Sequence, residues 1–222
     1  MSEYQYHEFR ALERPLDDEG RAELRELDPD AAISALRLIK SEGDLHGDPD
    51  VLMETRFDAH LNLTAWGTRR LMLRLRRPEP DRVQPFSVPG LVEAWTSEDF
   101  VILDLTSEDE TDEALGEPDL LFDELLPLRD ELLAGDLRPL YLAWLAAYGT
   151  WERDELAFER EADEYVEPPV PAGLGEPTTA QRHLAEFLRL DPDLLAEAAT
   201  SAPASRTVGA LLDGAARRRA GS

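Results

Sequence analysis

Histidines and carboxylates are the residues of this chain that could do chemistry. The four histidines are His7, His46, His60 and His183. No two of them are spaced to share a metal ion on one helix or strand. The densest polar group is a predicted loop with Asp44, His46, Asp48 and Asp50, whose oxygens and imidazole could hold a divalent cation. Solvation and capping of the next helix also explain these aspartates, so we predict no cofactor, with a divalent metal as the alternative.

A row of arginines is the second candidate. In the segment 69–77 (RRLMLRLRR), leucines alternate with Arg70, Arg74 and Arg76, which predicts a half-buried strand with a basic face. Such a row of guanidinium groups could bind an anion or an acidic partner. The alternative is a structural role, in which the arginines pair with Asp104 and Glu93 on a neighbouring strand.

Several classes of chemistry have no support in the sequence. The chain has no cysteine, which excludes thiolate nucleophiles, disulfides and cysteine zinc sites. It has no Gly-x-Ser-x-Gly turn, and Lys40 is its only lysine, without a glycine-rich phosphate loop. No pair of carboxylates stands out as general acid and base, and His60 is predicted to be a hydrogen-bonded core residue on a helix. Catalytic residues stay unknown, and the sequence favours a protein that is not an enzyme.

The formal net charge of −25 bears on partners and location. With 48 acidic and 23 basic residues, the chain would repel phosphates, so nonspecific nucleic acid binding is disfavoured. No apolar run reaches the roughly 18 residues that cross a bilayer, and the first residues do not form a signal peptide, so we expect a cytoplasmic protein without membrane contact. The acidity itself is explained by a soluble surface or by salt adaptation, or alternatively by a basic partner.

The elements that must position these residues form an α+β pattern. The prediction is a small antiparallel or mixed sheet with two helices, followed by a mostly helical C-terminal half. The predicted elements of the first half are a strand over 4–12, a helix from Asp17 or Asp18 to Asp28, a strand rather than a helix over 30–42, a helix over 51–66 capped by Asp48, the strand 69–77, and a hairpin of 91–96 with 100–106.

Composition also suggests how the chain is divided. The predicted units are an α+β domain over 1–106, an acidic loop over 107–119, a helical segment over 120–165, a Pro/Gly linker over 166–177, and C-terminal helices with a basic tail over 178–222. Helices in the second half are predicted from caps at Asp136, Thr178 or Thr179, and Asp191, with an interruption at Pro127.

Three segments resemble a family of uncharacterised bacterial proteins. They are the start MSEYQYHEF, the stretch from Trp66 to Leu75 (WGTRRLMLRL), and Ala185 to Leu195 (AEFLRLDPDLL). Longer members of that family continue into a charged helical tail, so the resemblance implies that this chain is a short or truncated member. The resemblance implies a single ordered unit in a bacterial cytosol, and it brings no activity and no catalytic residues.

The leading functional prediction is a non-enzymatic protein–protein interaction or regulatory module. It follows from the missing catalytic signatures, together with apolar helices and the tryptophans Trp66, Trp95, Trp144 and Trp151, which could form a binding groove for another protein. One alternative is a divalent-metal-dependent enzyme that uses the Asp44 to Asp50 loop. The other is an acidic DNA mimic or antagonist of a nucleic-acid enzyme, with carboxylates spaced like phosphates.

Overall fold

A computed structural model describes residues 4–76, 80–109, 117–151, 165–200 and 206–221. Within these residues, seven strands form one sheet in the order β2-β3-β1-β4-β5-β7-β6, and all neighbours are antiparallel. The strands are β1 (Gln5–Arg10), β2 (Ala32–Ile33), β3 (Arg37–Lys40), β4 (Ala59–Thr64), β5 (Thr68–Arg76), β6 (Val92–Ser97) and β7 (Phe100–Glu108). The α+β class is confirmed.

Helices precede, interrupt and follow the sheet. They are α1 (Asp18–Leu27), α2 (Pro49–Thr55), α3 (Pro80–Val83) with a 3₁₀ turn (Gln84–Phe86), α4 (Pro118–Leu125), α5 (Pro127–Leu133), α6 (Arg138–Trp151), α7 (Thr179–Phe187), α8 (Pro192–Ala198) and α9 (Val208–Gly221). None of the helices in the described part of the chain combines the length and the apolar character that a membrane crossing requires.

Side chains of β5 alternate between the two faces of the sheet, and each face is buried in a different core. Leu71, Leu73 and Leu75 point into a large core that also contains residues of α4 to α9. Met72 points to the opposite face, where Phe9 and residues of α1 and α2 form a smaller core. The two faces of the strand predicted over 69–77 are correct, but it is buried on both faces and not half-buried, and Arg77 lies outside the described residues.

The large core joins the sheet to the C-terminal helices. Leu73 of β5, Phe122 of α4, Tyr141 of α6 and Leu184 of α7 belong to one buried cluster. The domains predicted from the sequence are parts of the chain that would fold independently. That division stays a prediction. β7 continues to Glu108, inside the predicted acidic loop, and residues 110–116 of that loop lie outside the described residues.

The helix predicted over 51–66 is wrong beyond its first turns. α2 ends at Thr55, and residues 59–64 form the central strand β4, which pairs with β1 and β5. The segment AHLNLT alternates, with Ala59, Leu61 and Leu63 in the large core. Its period of two determines the structure, because a strand with partners on both sides has every backbone group hydrogen-bonded.

Other local predictions are confirmed. Asp17, Asp48 and Asp191 cap α1, α2 and α8, and Thr178 caps α7 through a capping box. The segment 30–42 contains two short strands, β2 and β3, and the hairpin forms β6 and β7. α6 begins two residues after the predicted cap Asp136, whose side chain accepts from the backbone N–H of Arg138 at 2.9 Å.

Candidate functional site

The four residues of the predicted metal loop each have separate roles. Asp44 accepts a hydrogen bond from Gln5 at 3.1 Å, and Asp48 caps α2 by accepting from the backbone N–H of Asp50 at 2.9 Å. The Asp50 side chain pairs with Arg70 at 2.9 Å. The backbone of His46 donates to Asp28, and its exposed ring lies 3.9 Å from the same carboxylate. Among the described residues, no three histidine or carboxylate side chains form a group that could hold a metal ion.

The three candidate arginines have carboxylate partners. Arg70 binds both oxygens of Asp104 on β7, with Nη2 to Oδ2 at 2.7 Å, which is one of the two partners of the structural alternative; the other, Glu93, accepts from the backbone N–H of Gly90. Arg74 is buried and pairs with Asp58 at 2.7 Å. Arg76 pairs with Glu13 at 2.6 Å, although 67% of its side chain is exposed.

Arg74 and Arg76 lie in a polar cleft of about 550 Å³ beside the β6–β7 hairpin. Their guanidinium carbons lie 4.5 and 5.5 Å from the centre of the Phe100 ring, which suits cation–π attraction. The charged residues that line the cleft are Arg14, Arg74, Arg76, Glu13, Glu54 and Glu98. Because these arginines and glutamates are equal in number, the cleft has no excess of positive charge that would attract an anion.

Two buried histidines form a hydrogen-bonded chain on the face of the sheet that α1 and α2 cover. Nε2 of His7 lies 3.2 Å from Nδ2 of Asn62 and 3.4 Å from Oε1 of Gln5, and the shorter contact, in which the amide nitrogen can only donate, assigns the ring hydrogen to Nδ1. That nitrogen lies 3.2 Å from Nε2 of His60, whose Nδ1 lies 3.2 Å from the sulfur of Met72. The Phe9 ring stacks on His60 at 4.0 Å. The polar groups of all four side chains in this chain, Asn62, His7, His60 and Met72, are therefore paired when both histidines are neutral.

The pKa values of both histidines favour this neutral state. Burial, with a smaller effect of the Arg70 guanidinium, lowers the pKa of His7 to about 4. Burial and the nearby His7 lower the pKa of His60 well below its usual value. A general base works best with a pKa near neutrality, and neither histidine lines the polar cleft beside the β6–β7 hairpin. The pair is therefore better explained as a structural element than as a catalytic dyad.

Residues of β1 form another polar cluster on the opposite face. The Tyr6 hydroxyl lies 2.6 Å from Oε2 of Glu8 and 2.6 Å from Oδ1 of Asp119 at the start of α4. Burial raises the pKa of Glu8, although Arg10 pairs with this carboxyl at 2.5 Å. The sequence could not identify this cluster, because Tyr6 and Asp119 are separated by 113 positions. Its contacts attach α4 to the sheet.

The three tryptophans whose side chains the structure describes do not form one groove. Trp144 is buried in the large core, and Trp66 is 43% exposed. Trp95 on β6 is half-buried, and its Nε1 donates to Glu54 at 2.8 Å. The side chain of Trp151 lies outside the described residues.

Strand β6 is at one edge of the sheet, and part of its backbone faces outwards. Val88 and Val92 exchange two hydrogen bonds of 2.8 Å, so the backbone groups of Val92 point away from β7. Backbone direction alternates along a strand, so the N–H and C=O groups of Ala94 and Thr96 point the same way. Within the described parts of the chain, these four groups have no hydrogen-bond partner. We call them the β6 edge.

A groove of about 440 Å³ lies along the β6 edge. Its lining residues are Val83, Gln84, Ser87, Ala94, Trp95, Thr96 and Val101. Val83 and Val101 are buried and supply apolar surface beside the outward-facing backbone. The alternating pattern predicted the hairpin but not this edge, since a strand's place at the sheet edge is decided by pairing.

Comparisons with known proteins give no relative for this chain. A scan against protein-family models matched no family, and searches of curated proteins and of solved structures found no match. The resemblance to a bacterial family stays a prediction.

Proposed function

We propose that this protein is a non-enzymatic interaction module that binds an extended, basic segment of a partner protein along the β6 edge. The observation that carries the proposal is the set of outward-facing backbone groups of Ala94 and Thr96, beside a groove whose lining includes Val83 and Val101. Unpaired edge groups are a template for another strand, and peptide-binding domains use this mode of recognition. Main-chain hydrogen bonds would supply affinity.

The groove favours particular side chains on one face of the added strand. Ala94 and Thr96 point their side chains into the groove, so alternate residues of an added strand would lie against Val83 and Val101. Small or branched apolar residues such as valine suit that surface, because they pack well on a pleated sheet. An extended segment with an apolar residue at every second position fits this geometry.

Charge supports basic residues at the other positions. On the opposite face of β6, the exposed Glu93 is a cross-strand neighbour of the added strand, and Glu98 is exposed at the hairpin tip. Opposite charges on neighbouring strands attract, and like charges repel. The net charge of −25 also steers a basic segment towards the protein.

Peptide titration tests the proposal. We would measure binding of a capped peptide that alternates valine and lysine, and of a matched peptide that alternates valine and glutamate, by fluorescence anisotropy. The lysine peptide should bind at least about tenfold more tightly at low salt, with the difference shrinking as salt screens the charges. Equal affinity of the two peptides would contradict the charge argument.

A substitution at the β6 edge separates strand addition from simple charge attraction. Thr96→Pro removes an outward N–H without removing a bond to β7, and should abolish most of the binding. Thr96→Ala is the matched control, because it changes the side chain and keeps the N–H. Thermal melts of both variants would show that the fold is kept. If a folded Thr96→Pro variant bound the lysine peptide like the wild type, strand addition at this edge would be wrong.

A further inference from the structure

Trp95 on β6 and Glu54 on α2 form a hydrogen-bonded pair beside the β6 edge. Trp95 is half-buried and packs against the smaller core, and its Nε1 donates to Oε1 of Glu54 at 2.8 Å. We infer that this pair selects an arginine at the middle position of the bound segment, with its guanidinium against the indole and paired with the carboxylate. The inference rests on the proposed function and names the side chain that the site recognises.

The pleat of the sheet determines which position of the bound segment meets Trp95. On one side, its cross-strand neighbour is Ile102 of β7. On the other side, the described strands end at β6, so this side of Trp95 faces the place of an added strand. In an antiparallel addition, the residues opposite Ala94 and Thr96 exchange hydrogen bonds with them. The residue between forms a non-hydrogen-bonded pair with Trp95, in which side chains approach most closely.

The carboxylate of Glu54 is the counter-charge for this middle residue. Its Oε1 accepts the indole N–H, which fixes the carboxylate beside the ring. Arg74 donates to the backbone carbonyl of Glu54 at 3.3 Å, and its ion pair is with Asp58 at 2.7 Å. None of the basic side chains that the structure describes pairs with the Glu54 carboxylate, so Oε2 remains for a cation of the partner.

Glu93 adds a second carboxylate on the same face. It precedes Trp95 by two positions, is exposed, and lies diagonally opposite the middle residue of an added strand. Its Oε1 accepts from the backbone N–H of Gly90 at 3.1 Å. Its cross-strand neighbour Asp104 is another carboxylate, which Arg70 pairs at 2.7 Å. The middle residue is therefore flanked by Glu54 and Glu93, which favours a cation there.

The combination of a ring and a carboxylate favours arginine over lysine. Tryptophan is the best aromatic partner of a cation, and a planar guanidinium can lie flat on it while its N–H groups bind a carboxylate. An ammonium group is more strongly hydrated and does not stack. An extended arginine side chain also reaches as far from the backbone as the indole Nε1, where Glu54 is placed.

Peptide binding to the full chain, followed by fluorescence anisotropy, tests the inference. The host is a capped peptide that alternates valine and serine, with arginine, lysine or citrulline at its middle position. The arginine peptide should bind about tenfold more tightly than the citrulline peptide, which has the same shape without the charge, and about threefold more tightly than the lysine peptide. Equal affinity for arginine and citrulline would refute the inference and leave strand addition intact. If neither these peptides nor the valine–lysine peptide bound, the proposed function would be refuted, and the inference with it.

Variants assign the preference to the two residues. Glu54→Gln keeps an acceptor for the indole and should reduce the preference for arginine over citrulline from about tenfold to less than about threefold, with the citrulline affinity unchanged. Trp95→Leu should remove the preference for arginine over lysine. Glu26→Gln is the control, because it makes the same charge change at an exposed site on α1, which contacts β2 at the opposite edge of the sheet. Thermal melts check the fold, and a full arginine preference in folded Glu54→Gln would overturn the inference.

Discussion

The Nδ1 atom of His7 lies 3.2 Å from Nε2 of His60, and the two rings stack with their planes 8° apart. The two residues are on adjacent strands, β1 and β4, and their chain of hydrogen bonds ends at Asn62 on one side and at Met72 on the other. A second proton on either ring would place a charge in a buried site and two donors against each other. Burial and this hydrogen-bond chain therefore favour neutral histidines at neutral pH.

The first prediction concerns pH. The pKa of His7 is lowered from 6.5 to about 4, so below pH 6.5 the unfolded chain binds a proton that the folded chain refuses. Stability should be at its full value above pH 6.5 and should fall as the pH drops towards 4. From pH 7 to pH 5, His7 should contribute a loss of about 2 kcal/mol in the free energy of unfolding.

Urea titrations at both pH values measure this loss. His7→Gln cannot take up a proton, so its stability should fall less between pH 7 and pH 5 than that of the wild type. Leu120→Ala changes an exposed residue without a titratable group and should keep the wild-type pH dependence. Equal pH dependence of the His7→Gln variant and the wild type would show that His7 is not held neutral.

The second prediction concerns the buried pair of Arg206 and Glu167. Nε and Nη2 of the arginine bind the two carboxylate oxygens at 2.7 Å each, and Tyr141 also donates to the same carboxylate. Glu167→Gln removes the bidentate counter-charge of a buried guanidinium, which then keeps only Glu197 at 3.9 Å, and should cost about 3–5 kcal/mol by urea unfolding.

A double variant, Glu167→Gln with Arg206→Met, tests the cause. Its loss should be smaller than the sum of the two single losses, because the unpaired charge is gone. Arg21→Met breaks an exposed pair with Asp18 and should cost less than about 1 kcal/mol. Additive losses would contradict direct pairing as the source of the effect.

The third prediction concerns Asp58, just before β4. Its Oδ2 accepts from the backbone N–H groups of Leu12 and Glu13 at 2.7 and 2.8 Å, and its Oδ1 accepts from Arg74. Asp58→Asn removes the charge and one acceptor, so we expect a loss of about 2–4 kcal/mol in the free energy of unfolding. The control Asp123→Asn changes a 59% exposed carboxylate and should cost less than about 1 kcal/mol. Similar small losses in both variants would show that Asp58 does not hold these segments together.

The fourth prediction concerns the shared core. Phe122 of α4 is fully buried in the cluster that contains β5 and α7, so Phe122→Ala should cost about 3–5 kcal/mol. If the core folds as one unit, hydrogen exchange in denaturant should accelerate equally in peptides from β5 and from α7. Leu120→Ala, at a 64% exposed site, should change stability by less than about 0.5 kcal/mol. Faster exchange in the helices alone would support the boundary at residues 107–119.

Local patterns were sufficient for much of the fold. The period of two in β5 predicted which residues lie on each of its faces. Four helix starts were predicted from the caps Asp17, Asp48, Thr178 and Asp191. Each of these features is caused by residues within one helical turn or one strand, so the local sequence is sufficient to predict it. The same reasoning failed at β4, because AHLNLT follows a real helix start and a short apolar run fits either period.

The sequence alone determined the α+β class, the charge of −25 and the absence of cysteine chemistry. Tertiary structure decided the rest: that Arg74 pairs with Asp58, that His7 meets His60, and that β6 lies at an edge beside a groove. A local pattern states which way a side chain points, but not what it meets there. Its partners come from segments tens of positions away, and the free energy of packing the whole core selects them.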